Sequence, residues 1–172
     1  RCIDLRRTCC SNEDPEHPHT HALRGAPRLP AAPADALLVS HCDQQLLFQV
    51  GFTGAVRLQK LLLRAPGDGR APSQLRVFAN VPNLDFDGAE ERQPTQSFDL
   101  SSCWAPAAVA SNGGAAQEVT CELALNAARF QQVNELVLFV VDNVGDAETT
   151  AVAQLTVIGA RVHRVISVPG VL

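Results

Sequence analysis

Six cysteines and five histidines are the side chains of this 172-residue chain best suited to chemistry, and their spacing limits what that chemistry is. The cysteines are Cys2, Cys9, Cys10, Cys42, Cys103 and Cys121. Redox chemistry of the C-x-x-C kind places two sulfurs at a helix start, where a lowered pKa creates a thiolate. No pair here has that spacing. A domain of this length buries about 70% of its unfolded surface and builds a core without staples. The sequence also opens without a charged-then-apolar leader, so the thiols are expected to be reduced, with Cys121 a small buried hydrophobe.

Cys9, Cys10, His17, His19 and His21 form the best cluster of metal-ligand types. Adjacent cysteines reach one tetrahedral centre poorly, and prolines interrupt the stretch. Cys10, His17, His19 and His21 are kept as the candidates, but no metal or other cofactor is expected. Asp85, Asp87, Glu90 and Glu91 place four carboxylates within seven residues. They lack the third oxygen position and closing Glu of a calcium loop, so an exposed acidic turn is expected. Gly67-Asp68-Gly69 leads into Ala71-Pro72-Ser73 and a strand, not into the helix N-terminus that a phosphate loop requires. No G-x-S-x-G or H-E-x-x-H occurs, and His41 next to Cys42 lies at a strand end, where neighbouring side chains diverge. A non-enzymatic chain is expected.

The elements that would carry these residues are strands. Short apolar segments separated by turn residues fall at 37–40, 45–50, 56–63, 74–80, 96–100, 118–125, 136–141 and 152–158. Val119, Cys121, Leu123 and Leu125 alternate with Thr120, Glu122 and Ala124, giving one inward face. The six-residue apolar run from Leu136 to Val141 predicts a central strand covered on both faces, and is far too short to span a bilayer. Turns are expected at Thr53-Gly54, Pro66 to Gly69, Val81-Pro82-Asn83, Asn112-Gly113-Gly114 and Asn143 to Asp146. About eight such strands without a long amphipathic helix predict an all-β jelly-roll sandwich. The first 36 residues, broken by prolines, read as an irregular N-terminal arm anchored by Ile3 and Leu5; the sandwich runs over 37–165 and a tail over 166–172. An Ala/Gly-rich loop is expected over 105–117. The first residue is not Met, so a longer parent chain is expected. A net charge of −4 with no Lys/Arg stripe argues against nucleic acid as a partner.

Five segments then align, in order, with one family. Residues 41–58, with Asp43, Leu46-Leu47 and Val56-Arg57-Leu58, resemble the D-x-x-L-L, strand, turn and V-K-L opening of the PITH domain, the proteasome-interacting thioredoxin domain. Residues 75–82 with Asp85-Phe86-Asp87 resemble its strand, N-[LIV]-P and D-F segment. Residues 94–100 resemble its P-[TD]-Q-x-[FL]-x-L, and Glu148-Thr149-Thr150 leading to Ile158-Gly159 resembles its E-T-T ending. Ile3-Asp4-Leu5, Cys10 and Asn12-Glu13 resemble the family's arm. The last strand, Gln154-Leu155-Thr156-Val157, lacks the family's aromatic, and Arg57 stands for its Lys.

The resemblance implies a galactose-binding-domain-like sandwich without catalytic activity. It also implies docking to the proteasome regulatory particle, as in stand-alone PITH proteins and the C-terminal domain of thioredoxin-like proteins. The expected function is a protein-binding adaptor in the cytoplasm, with a nuclear pool allowed and no membrane partner. The alternatives are a structural part of another large assembly, cytoskeletal or ciliary, and a carbohydrate- or metal-binding module. For sugar, Trp104 is the candidate platform. Contact residues are expected in two polar turns that retain an apolar side chain: Leu84, Asp85, Phe86, Asp87 and Glu90 in one, Val144 and Asp146 in the other.

Overall fold

A 21-residue strand, β3 (Leu46–Pro66), organises the molecule. The computed structural model describes residues 2–23, 29, 33, 35–104 and 118–162. The expectations for 105–117 and the tail lie outside the described residues. In chain order the elements are β1 (Ile3–Ser11), α1 (His19–Ala22), β2 (Leu38–Val39), β3, β4 (Pro72–Ala79), α2 (Phe86–Glu91), β5 (Gln96–Asp99), β6 (Glu118–Ala124), β7 (Val133–Asn143), β8 (Ala151–Val152) and β9 (Gln154–Arg161).

The first half of β3 pairs with β1 and β7, and its second half pairs with β6 and β9, all antiparallel. Through β7 the first layer continues to β4 and β5. A five-stranded layer and a three-stranded layer therefore share one strand and close over a common core, the jelly-roll β-sandwich that the alternation predicts. β2 and β8 add a small ribbon, with Leu38 opposite Val152.

Two segments expected as separate strands around a Thr53-Gly54 turn are thus one strand. The physical reason is a bulge: Gly51 pairs with Glu135 and Val56 with Val133, so five steps along β3 face two along β7. The surplus bends β3 from one layer into the other instead of reversing it.

β7 confirms the reading of its apolar run. Leu136, Leu138 and Val140 enter the main core with Phe48, Leu61, Leu75 and Phe130, while Val137 and Phe139 enter a second cluster with Leu47, Phe78, Leu84 and Ala89. On β6, Cys121, Leu123 and the following Leu125 are buried while Thr120, Glu122 and Ala124 are exposed, as the alternation requires. Within the arm, β1 lies along β3 and Ile3 and Leu5 pack against the core. Its ladder is interrupted between Asp4 and Cys9. There the Thr8 hydroxyl donates to the Asp4 carbonyl at 2.8 Å and accepts the Gly51 N–H at 3.2 Å, replacing the missing rungs.

Candidate functional site

The acidic turn expected at 85–91 is a capped helical turn. The Asp85 carboxylate accepts the Gly88 N–H at 2.8 Å, and Asp87 stands in the first turn, where the helix end favours negative charge. An Asp cap followed by acidic residues was the signal for this helix in the sequence. α2 lies on the outer face of the five-stranded layer. Phe86, half-buried, sets its ring edge-on to Phe139 with centroids 6.0 Å apart, and Ala89 is fully buried. Leu84, a contact candidate from the sequence, is only 8% exposed and packs inward with the same cluster. Asp85, Asp87, Glu90 and Glu91 remain on the surface. The Arg76 guanidinium donates to the carbonyls of Ala89 (3.2 Å) and Glu90 (2.8 Å), occupying acceptors that the helix end leaves open.

The second turn, after β7, is held from inside by Asn143. Its amide nitrogen donates to the Ala147 carbonyl at 2.8 Å and its oxygen accepts the Ala147 N–H at 2.9 Å. Asp146 takes a left-handed φ of 52°, and Val144 is exposed at 39%. Because β4 and β7 are antiparallel, the two candidate turns leave opposite ends of the sheet. What they share is a neighbour, the segment just before β3. The Gln45 side chain donates to the Glu90 carboxylate at 2.9 Å, and the Gln44 carbonyl accepts from the Thr150 hydroxyl at 2.7 Å. Gln44-Gln45 is therefore a corner to which both segments are tied. Asp43 precedes it, Glu90 bonds to it, and Asp146 and Glu148 lie on the turn that leads to Thr150; all four are exposed, and among the described residues none is paired with Lys, Arg or His.

The metal candidates are separated by their partners. His17 Nδ1 lies 3.2 Å from Asp14, His19 Nδ1 lies 2.9 Å from Glu13, and His21 Nδ1 lies 3.0 Å from the Leu37 carbonyl. Cys10 sits half-buried on β1, where burial, with Glu13 and Cys9 nearby, pushes its thiol pKa well up and keeps it protonated. Among the described residues no three His, Cys, Asp or Glu side chains converge as metal ligands. His17 and His19 bond within the arm, His21 ties the arm to the segment before β2, and His41 reaches the Asp14 carboxylate at 3.6 Å.

Two other expectations change. Trp104 is 5% exposed, with its indole N–H donating to the Pro72 carbonyl at 2.6 Å, so it offers no ring face to a sugar. A cavity of about 20 Å³ between the layers, lined by Leu38, Phe48, Leu63, Leu138 and other apolar side chains, has room for about one water. Cys103 and Cys121, expected as free thiols, form a disulfide with Cα atoms 5.6 Å apart, within the range such a bond spans. The inward face of β6 that buries Cys121 also brings it to Cys103, a long-range placement that composition and spacing do not encode. Cys2, Cys9, Cys10 and Cys42 are free.

Several quoted motif residues prove to be loop fasteners. Asn12, with φ 65°, donates to the Gln45 carbonyl at 2.7 Å and the Asp43 carboxylate at 2.8 Å. Asn80, with φ 57°, donates to the Gln132 carbonyl at 2.7 Å and accepts the Asn134 N–H at 2.8 Å. Asn is the non-glycine residue that best tolerates this backbone while offering two hydrogen-bonding ends. Thr150 is fully buried, and its N–H donates to Ser40 Oγ at 2.8 Å.

Comparison with known proteins bears on the fold and the family. The fold resembles a carbohydrate-binding domain, CBM32-3, from a family 31 glycoside hydrolase of Clostridium perfringens (TM-score 0.54, 12% identity, 92% of this chain and 94% of that one). It also resembles the lectin domain of lectinolysin (TM-score 0.50, 14% identity, 91% and 92%). At such identities the likeness is one of fold alone. In sequence, PITH domain-containing protein 1 of Homo sapiens is 31% identical over 152 residues, 87% of this chain and 63% of that protein. Thioredoxin-like protein 1 of Schizosaccharomyces pombe is 27% identical over 169 residues, 92% of this chain and 49% of that protein. The chain thus spans 49% to 63% of the length of these relatives. The family model described as the PITH domain matches residues 1–167, and with the motif residues now located at its sheet junctions and turns, the chain belongs to the PITH domain family.

Proposed function

We propose that this domain is a non-catalytic adaptor that works in the cytoplasm by docking on the proteasome regulatory particle. The observation that carries the reading is the Gln44-Gln45 corner. It ties α2 through Glu90 and the end of the turn after β7 through Thr150 to one segment, with Asp43 beside it and the exposed Val144, Asp146 and Glu148 on that turn. A rigid sandwich with unpaired acids around a small apolar contact suits a basic partner surface: the charges steer encounter and set register, and the apolar contact limits dissociation. The buried Trp104 and the small apolar cavity give no support to a sugar-binding reading.

The test is binding of the purified chain to purified regulatory particle. Wild type is expected to bind with a Kd that weakens as salt rises, and the triple variant Glu90→Lys, Asp146→Lys, Val144→Glu to bind at least about tenfold more weakly. No binding by a folded wild type, or equal binding by the variant, overturns the reading.

A further inference from the structure

We propose that Cys103–Cys121 is a thiol–disulfide exchange site, opened by a dithiol reductant, that controls the seam between the two layers. Three observations carry this. The first is position: β5 pairs only with β4 and β6 only with β3, so among the described residues no backbone ladder joins these neighbouring layers along this side. The seam is closed by side chains. Near one end Gln96 donates to the Ala124 carbonyl at 3.0 Å and accepts the Asn126 N–H at 2.9 Å; toward the other the disulfide ties Cys103, just beyond β5, to the middle of β6.

The second observation is asymmetry between the sulfurs. Cys121 is 2% exposed on the inward face of β6, whereas Cys103 is only half-buried. Cys103 is therefore the proposed point of attack for a reductant. The reductant's thiolate attacks there, the Cys103–Cys121 bond breaks, and the Cys121 sulfur leaves with the electron pair and takes a proton. The reductant's second thiolate then attacks its own sulfur in the mixed disulfide and releases Cys103, which is protonated in turn. Two electrons pass to the domain and the reductant becomes a disulfide.

The third observation is that the ladders of both strands are made to partners other than each other, so this step breaks none of them. β6 keeps its seven-residue register with β3 from Lys60 to Pro66, and β5 keeps its pairing with β4. Reduction therefore loosens one seam and not the sandwich. Trp104, the chain's single tryptophan, adjoins Cys103 in sequence and reports on the change.

The test uses the whole chain. Alkylation of the denatured, unreduced protein is expected to label four cysteines, and six after treatment with dithiothreitol, the two added labels mapping to Cys103 and Cys121. A C-x-x-S reductant, unable to complete the second step, is expected to be trapped on Cys103. Native reduced protein is expected to keep its far-UV circular dichroism and a cooperative melt lowered by roughly 5–10 °C. Hydrogen exchange is expected to rise in β5 and β6 only, and Trp104 emission to rise as the neighbouring disulfide is lost. Cys103→Ser, at the half-buried position, is expected to reproduce the reduced state, and removal of reductant in air to restore the wild type. Six labels without reduction, trapping on Cys121, exchange rising throughout the chain, or failure to reoxidise would each overturn the proposal.

Discussion

Gly145 donates its N–H to the carbonyl of Gly69 at 2.9 Å, and the two backbones touch so closely that a methyl group on Gly145 would lie 2.8 Å from Gly69 Cα. The turn before β4 and the turn after β7 are thereby packed glycine on glycine, and Gly69 itself takes a φ of 93°. This contact holds Val144 and Asp146 where they project. Gly145→Ala is expected to cost about 1–3 kcal/mol by forcing the turns apart, and to weaken docking at the same time. Val144→Ala is expected to leave stability within about 0.5 kcal/mol while weakening docking, because its side chain is exposed. Denaturant melts beside binding measurements separate the two effects.

Asn80 offers a test of the loop fasteners. Asn80→Gly keeps the left-handed backbone at low strain and loses the side-chain bonds to Gln132 and Asn134. Asn80→Ala loses the same bonds and adds about 1–2 kcal/mol of backbone strain. Stability is expected to fall in the order wild type, Gly, Ala, with the first step about 1–3 kcal/mol. Equal stability of the Gly and Ala variants would show that φ is not what selects Asn there.

Acid should loosen the arm through Asp14. The Glu16 backbone N–H, 2.8 Å away, and the His17 imidazole hold the Asp14 carboxyl below the usual carboxylate range. A depressed folded pKa contributes stability that is present above the unfolded value, near pH 3.8, and is lost as pH falls through the folded one. Asp14→Asn is expected to flatten the fall of Tm between about pH 5 and pH 2. A variant profile that parallels wild type over that range would show that Asp14 is not linked to folding.

The free thiols should react in a set order. Partial burial, then the charges of Glu13 and Glu135, push the Cys9 thiol up, so little of it is thiolate near pH 8. Iodoacetamide is expected to label the exposed Cys42 before Cys9, and Cys10 last. Glu135→Gln removes one of the charges, and the rate at Cys9 is expected to rise. Peptide mapping over a time course reads both results, and labelling of Cys9 as fast as Cys42 contradicts the account.

The sandwich was legible because its signals are local. Alternation on β6 and the continuous apolar run of β7 follow from where successive side chains point along a strand, a property of the backbone that needs no knowledge of partners. The single strand β3 was less legible. Thr53-Gly54 reads as a turn in isolation, and only the excess of residues opposite β7 turns it into a bend. The helical cap at Asp85 had a local signal, an Asp followed by acids, whereas the inward turn of Leu84 had none.

By itself, the order of residues determined the all-β architecture, the family and the turns that carry charge, since periodicity and turn chemistry act over a few residues. Tertiary structure alone decided that Cys103 meets Cys121, that Trp104 is buried against Pro72, and that Gln44-Gln45 draws two distant turns to one corner. Each of these joins positions 18 or more residues apart. Such pairs are specified by how two sheets register and pack, and neither partner carries a mark of the other in its own neighbourhood.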